Sequence, residues 1–392
     1  MPAQTLIQSR PANDPDRAVG CSASRLTLTN FRGYSDLRLE TESAAVVLVG
    51  ANGAGKTNLL EALSLLTPGR GLRGAKLTDM ARRDGPGGWA AAANVFGPNG
   101  EAALGVGAEA GQDGTARKVH ADGAPARGQA ALAERFAAVW LTPQMDRLFM
   151  DGAEERRRYL DRLAATSDPA HIGRVSSYRN AMRQRLTLLK EGRSDLTWLD
   201  ALEAEMAARA VAVAAARTET ARRLDLAASE GVTAFPRAGV TVIGMVEELL
   251  ADGPALQAED GLRERFAADR CRDGVVGSTS IGAHRSDLSV IDRTTGLAAA
   301  EGSTGEQKAL LVSLTFASAR MLSGTIGVAP VLLLDEVAAH FDPTRRASLF
   351  DEALALGGQV WVTGADASQL DPLAGRADWR RVEAATLSTI QH

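Results

Sequence analysis

The sequence predicts an α/β fold: a mixed sheet with helices on its faces, an antiparallel β-meander near the start, and an inserted helical lobe. Three observations predict it. An apolar run, Ala44-Ala45-Val46-Val47-Leu48-Val49, leads into Gly50-Ala51-Asn52-Gly53-Ala54-Gly55-Lys56-Thr57. After it, Leu59, Leu60, Leu63 and Leu66 share one helical face until Thr67-Pro68-Gly69 ends the pattern. A second apolar run, Val331-Leu332-Leu333-Leu334, ends in Asp335-Glu336, as expected for a buried parallel strand presenting carboxylates at its carboxyl end. Between these runs, from about residue 154, lies a long stretch rich in Ala, Leu, Arg and Glu, interrupted near Pro169, Gly192 and Gly231.

The elements follow in order. Residues 1–22 hold prolines and polar residues without an apolar core, which predicts a disordered tail and no secretion signal. Leu26 and Leu28, then Leu37 and Leu39, alternate with polar residues about the turn Phe31-Arg32-Gly33-Tyr34, a hairpin pattern. Residues 88–127 are short apolar stretches separated by Pro98-Asn99-Gly100 and Asp122-Gly123, which predicts the meander. Residues 195–230 suit one helix, roughly 50 Å long at about 1.5 Å per residue. No heptad pattern persists across the breaks, so a long coiled coil is not expected. Around residue 275 glycines return, and Leu288-Ser289-Val290-Ile291 marks the return of α/β character. The expected organisation is therefore a tail (1–22), the first part of a nucleotide-binding lobe (23–150), a helical lobe (151–274) and the second part of the first lobe (275–392).

Composition excludes other classes. With 392 residues, 45% hydrophobic content and no apolar run near 18 residues, a soluble cytoplasmic protein with no membrane span is expected. Two cysteines, Cys21 and Cys271, make no disulfide framework, and the five histidines show no metal-ligand spacing. The net charge of −4 gives no global attraction for nucleic acid, so any such partner must bind locally.

The chemistry centres on one of only five lysines. The segment from Gly50 to Thr57 matches the phosphate-binding pattern G-x-x-x-x-G-K-[ST]. Glycines let successive amides curl around the phosphates of a nucleotide, and the following helix adds its dipole. Lys56 would bridge the β- and γ-phosphates, and Thr57 would offer its hydroxyl to Mg²⁺. Asp335 would hold the metal through water, and Glu336 would polarise the attacking water. An ordinary glycine-rich turn and an ordinary buried strand are the plain alternatives. Ser303-Thr304-Gly305-Glu306-Gln307-Lys308 opens an apolar helical stretch from Ala309 to Leu322, for which a simple N-cap at Ser303 is also a sufficient account. Between Glu154 and Arg193, ten basic residues face five acids. Arg179 and Arg183 are four apart and would share a helical face able to meet successive DNA phosphates, although a solvated face explains the same charges.

The ordered series from Ser303, through Asp335-Glu336, to His340-Phe341-Asp342-Pro343 resembles the signature, Walker B and D-loop elements of ABC-type ATPases. That resemblance implies an ABC-type P-loop ATPase head in which Ser303 and Gly305 of one subunit cap the nucleotide held by another. Several stretches are more narrowly similar to the RecF family, related to SMC chromosome proteins. They are Leu28-Thr29-Asn30-Phe31-Arg32-Gly33-Tyr34, Pro68-Gly69-Arg70-Gly71-Leu72-Arg73, Leu141-Thr142-Pro143 through Asp151-Gly152, Arg156-Arg157-Arg158-Tyr159-Leu160-Asp161 and Gly282-Ala283-His284-Arg285-Ser286-Asp287-Leu288.

This resemblance implies a slow, DNA-stimulated ATPase that dimerises on ATP. It would bind single-stranded, gapped or junction DNA and work with RecR and RecO to load RecA in recombinational repair, replication and SOS induction. By matched position, Gln144 is the Q-loop residue, Asp342 the D-loop acid, and Arg70 or Arg73 an arginine reaching a phosphate. Each also reads as a surface polar residue. No histidine follows the strand Gln359-Val360-Trp361-Val362-Thr363, where many ABC ATPases carry a switch histidine, and Thr363 is the candidate for a weaker γ-phosphate sensor. Asp146 falls two positions after Gln144, further from the proline than the family pattern. A transporter subunit is disfavoured because Lys56 and Ser303 lie 247 positions apart, and a structural SMC protein because the helical region is too short.

Overall fold

The computed structural model describes residues 20–109, 117–126, 128, 130–192, 195–230 and 234–392. The expected tail lies outside the described residues as far as residue 19. Gly20 and Cys21 already donate to the carbonyls of Gly357 and Ala329, so the sheet region begins there and not after residue 22.

The chain opens with the expected hairpin. Strands β1 (Ser22–Phe31) and β2 (Tyr34–Glu40) pair antiparallel, with Leu26 opposite Leu39 and Leu28 opposite Leu37. Next, β3 (Ala45–Val49) and α1 (Lys56–Leu65) flank the glycine-rich segment. The meander follows as β4 (Trp89–Gly97), β5 (Gly100–Ala108), β6 (Lys118–Ala121) and β7 (Ala124–Pro125), and it joins the hairpin in one antiparallel sheet of order β2-β1-β4-β5-β6-β7. Asp122 and Gly123 turn between β6 and β7 with φ of 53° and 80°, the doubly left-handed geometry of a two-residue hairpin.

After a short α2 (Ala130–Ala133), strand β8 (Ala138–Leu141) leads to the helical lobe. Its elements are α3 (Ala153–Ser167), α4 (His171–Lys190), α5 (Leu196–Ser229), β9 (Ala238–Ile243), α6 (Met245–Asp252), α7 (Ala255–Ala268) and α8 (Arg270–Val276). The long helix expected for 195–230 is α5, capped by Asp195, whose side chain accepts from the Trp198 amide.

Strand β10 (Asp287–Asp292) lies outside the central sheet. It pairs with β9 in a two-stranded ribbon against α3 and α5, and its buried residues share a core with α9 and the central sheet. The pattern explains why. Leu288 and Val290 are buried while Ile291 is exposed, a one-faced alternation unlike the fully apolar strands of a sheet covered on both sides.

The chain closes with α9 (Thr304–Ile326), β11 (Val331–Leu334), α10 (Pro343–Ala355), β12 (Val360–Gly364), β13 (Asp378–Glu383) and β14 (Thr386–Thr389). The central sheet has the order β14-β13-β3-β12-β11-β8, parallel throughout except for the β13 to β14 hairpin. Its two faces feed separate cores: Val46, Leu48, Leu333 and Trp361 pack with α1 and the meander, while Val47, Val49, Leu332 and Leu334 pack with α9 and α10. This is the strand period of two, read on both faces. A third cluster ties α4, α5 and α7 together. Among the described residues α9 alone is long and apolar enough to cross a membrane, and it is mostly buried against its neighbours, as a central core helix is.

Candidate nucleotide site

Strand order assembles the site. In the central sheet β12 lies between β3 and β11, and all three are parallel. The glycine-rich loop, Thr363 and Asp335-Glu336 therefore leave adjacent strands at one carboxyl edge, where open α/β sheets bind ligands.

The loop is held from behind. A Cβ at residue 50 would sit 2.2 Å from the Val382 carbonyl oxygen, and one at residue 55 would sit 2.8 Å from the Tyr34 hydroxyl, with Gly55 at φ 114°. Only glycine fits either place. No side chain caps α1, so its first amides remain available to an anion. Lys56 is buried, 3% exposed, and its Nζ donates to the carbonyls of Gly50 (2.7 Å) and Ala51 (3.0 Å) while lying 3.5 Å from Glu336. Its charge is balanced by neutral carbonyls and one acid, which phosphate oxygens can replace.

The acid side interlocks with the loop. Thr57 Oγ1 donates to Asp335 at 2.8 Å, and Thr363 Oγ1 donates to the same carboxylate at 2.8 Å. Burial raises the Asp335 pKa above the ordinary carboxylate value, against the Thr363 and Thr57 hydroxyls, which lower it. The Thr57 hydroxyl and the Asp335 carboxylate are adjacent hard oxygen donors, a pair that fits Mg²⁺ shared with phosphates.

Glu336 takes a left-handed φ of 50°, and its amide donates to Thr363 Oγ1 at 2.9 Å. Thr363 therefore differs from the sensor expected of it. It is fully buried, and its hydroxyl is engaged with both Asp335 and the Glu336 amide. It positions the two acids from the neighbouring strand.

Three supports escaped sequence reasoning. Tyr34 donates to the Gly55 carbonyl at 3.2 Å. Fully buried Glu61, on α1, receives Arg32 from the first hairpin and Arg73 from the segment after α1. The β13 to β14 turn reaches the loop through the Ala385 amide, which donates to Ala54 O at 3.1 Å. That turn is built of Ala384 and Ala385 at φ 46° and 61°, so no glycine, asparagine or aspartate announced it.

Other expected residues stand apart from this cluster. Ser303 caps α9 in a reciprocal box with Glu306, and its side-chain hydrogen bonds are local. Gly305 follows, exposed and with open space at its Cβ position. Asp342 caps α10 by accepting from the Arg345 amide. Gln144 is exposed in the turn after β8 and lines, with Arg70, Arg73, Arg179 and Arg183, a cleft between the lobes. Asp146, whose spacing departs from the family, lies 3.6 Å from Lys308 and ties this turn to α9.

The local excess of basic residues is largely consumed inside the protein. Arg156 forks onto Asp287 at 2.7 and 2.9 Å, Arg157 donates to the Ser286 carbonyl, and Arg185 is buried between Glu203 and Asp273. Arg174 pairs with Asp168 and Arg158 with Glu154, while Arg193 lies outside the described residues. The count of charges over residues 154–193 thus overstated the free positive surface. The two family-like stretches at 156–161 and 282–288 dock on each other. There His284 accepts from Tyr178 at Nδ1 and donates to Thr279 O from Nε2, and burial lowers its pKa to about 4.

Comparison with known proteins agrees with this geometry. The family model described as RecF/RecN/SMC N terminal domain matches residues 22–371. The DNA replication and repair protein RecF of Mesorhizobium japonicum is 45% identical over 391 residues, covering 99% of this chain and 98% of its own. The protein of the same description from Rhizobium etli is 44% identical over 360 residues, covering 91% and 96%. Among solved structures, the recombination mediator protein RecF-ATPrS in the RecFOR pathway superposes with a TM-score of 0.83 at 20% identity, covering 96% of this chain and 100% of that one. An Smc head domain from Pyrococcus furiosus superposes with a TM-score of 0.51 at 15% identity, covering 94% and 96%. The chain belongs to the RecF family and carries the ATPase-head fold that family shares with SMC proteins.

Proposed function

We propose that the protein is an ATP-dependent DNA-binding protein of recombinational repair, replication and SOS induction. It would dimerise on ATP, bind single-stranded or gapped DNA and, with RecR- and RecO-type partners, help load the RecA recombinase in the cytoplasm. The observation that carries this reading is the convergence of Lys56, Thr57, Asp335 and Glu336 at one sheet edge, in a chain whose relatives are replication and repair proteins.

Each residue has a role in that reading. The amides of residues 50–57 and the Lys56 ammonium receive the phosphates, with Arg70 or Arg73 reaching in from the segment after α1. Thr57 and Asp335 hold Mg²⁺, which when bound neutralises phosphate charge. Glu336 accepts a hydrogen bond from the attacking water and orients it, and Gln144 lies at the same edge. Hydrolysis is slow and DNA-stimulated because the site lacks a switch histidine and needs a second copy. The exposed N-terminus of α9, with Ser303 and Gly305, supplies amides to the partner's γ-phosphate, and Asp342 flanks that contact. Seating phosphate there requires the Glu306 carboxylate, which bonds both the Ser303 amide and hydroxyl, to swing away. Arg179 and Arg183 hold DNA phosphates.

The test combines ATP turnover, with and without gapped DNA, and sizing with a non-hydrolysable analogue. A DNA-stimulated rate and an analogue-dependent dimer are expected. A monomer under every condition, with turnover indifferent to DNA, overturns the reading.

A further inference from the structure

The cleft between the lobes carries anion-binding groups that the phosphate loop does not use. Its walls come from the segment after α1, from β8 and the turn bearing Gln144, and from α3 and α4. Its volume of about 790 Å³ lies within the roughly 300–1,000 Å³ of ligand pockets, so its charge, and not its size, indicates the occupant. Among the described residues Arg70, Arg162, Arg179 and Arg183 line it without a carboxylate partner. The carboxylates on the same walls are held by other arginines: Asp161 by Arg217, Glu155 by Arg158 and Asp151 by Arg147.

Arg162 is the most distinctive of these cations. Its guanidinium lies 4.4 Å from the centroid of the Trp140 ring and 5.3 Å from that of Tyr159. Burial lowers its pKa to about 10, which leaves it cationic at neutral pH. Stacking engages the faces of the planar fork and leaves its N–H edge for an oxyanion. Close by, Trp140 Nε1 and Thr142 Oγ1 are buried without a hydrogen-bond partner, in residues only 3% and 1% exposed. A buried polar group left unpaired costs about 1–3 kcal/mol, so this wall of the cleft is not yet satisfied by the protein's own groups.

We infer that the cleft is a second anion site, in which Arg162 seats one backbone phosphate of a DNA strand while Arg179 and Arg183 hold its neighbours. The inference rests on the DNA-binding reading above and says where the strand lies. Arg162 follows Arg158 by one turn of α3, and Arg183 follows Arg179 by one turn of α4, so both helices offer cations in rows along the groove. Gln144 and Arg73 share its walls, and the charge of Arg73 is felt by Asp335. A seated strand therefore borders the nucleotide site.

The test is fluorescence anisotropy of a labelled single-stranded oligonucleotide with ATP analogue present, at several salt concentrations. Arg162→Gln should weaken binding about ten-fold and lower the salt slope by about one. Arg162→Lys should fall between that variant and wild type, and ATP analogue affinity should stay at the wild-type value in both. Because Arg162 also packs on Trp140, a photo-crosslinker on Ser176→Cys, an exposed position on the α4 wall, gives a second readout. It should label the oligonucleotide and lose the label to unlabelled competitor. Unchanged affinity and slope in Arg162→Gln, or no crosslink from Ser176→Cys while wild type binds, overturns the assignment. Loss of analogue-driven dimerisation with DNA affinity intact also overturns it and makes the cleft a seat for a second copy. If wild type binds no oligonucleotide, the DNA-binding reading falls first and this inference with it.

Discussion

The nucleotide edge and the helical lobe both bury charge, and they treat it in opposite ways. In the lobe, Arg185 is closed between two carboxylates and the Phe266 carbonyl, and Arg217 forks onto Asp161 at 2.8 and 2.9 Å. At the sheet edge, Lys56 rests mainly on backbone carbonyls, and Asp335 on two hydroxyls. Paired opposite charges are fixed, because removing either strands the other in a medium that solvates it poorly. A charge satisfied by neutral groups can exchange them for a ligand. The kind of partner, more than burial itself, separates the structural charges from the functional ones.

The largest expected effect tests the closed side. Arg185→Leu leaves buried Asp273 without its cation, while Glu203 keeps Arg270, and should lower unfolding free energy by about 3–5 kcal/mol. Chemical denaturation measures it, and a loss below about 1 kcal/mol would erase the contrast. On the open side, Lys56→Ala should leave the denaturation midpoint near wild type while reducing ATP turnover on the order of 10²- to 10³-fold. A large stability loss there would mean that the lysine is a structural tie. Thr363→Val should lower kcat about 10- to 100-fold with little change in ATP affinity, as partners that orient metal ligands do. Thr363→Ser should recover most of it, and a rise in KM alone would return Thr363 to the role of phosphate contact.

The last effect concerns pH. Unfolded His284 takes up a proton near 6.5, whereas the buried folded form does so only near 4. Stability should therefore fall as pH drops from 6.5 towards 4, by up to about 1.4 kcal/mol per pH unit. His284→Gln should flatten that slope, and an equal slope in both proteins would exclude His284 as its source.

Much of this was legible because local pattern and tertiary role coincide. The glycine loop, the doubly apolar strands β3 and β11, the long helix α5 and the turns at Gly100 and Asp122 read directly from residue type and period. What was illegible depends on partners distant in the chain. Arg156 looks like a free cation until Asp287 folds onto it, 131 positions away. Thr363 looks like a phosphate sensor until β12 enters beside β11 and turns its hydroxyl to Asp335. The last hairpin was hidden because two alanines hold a turn that usually needs glycine or asparagine. The pairing of β10 with β9 in a separate ribbon was not legible, because alternation gives a strand's buried face but not its neighbour.

The central claim is that the open edge is half of a site, completed by the N-terminus of α9 from a second copy. The direct measurement is ATP turnover in a mixture of Lys56→Ala and Ser303→Arg proteins, each inactive alone. A mixed dimer joins an intact loop from one chain to an intact α9 terminus from the other, so mixing should restore a fraction of wild-type turnover that grows with total protein concentration. A mixture as inactive as its components, or a Ser303→Arg protein that hydrolyses ATP unaided, would contradict it.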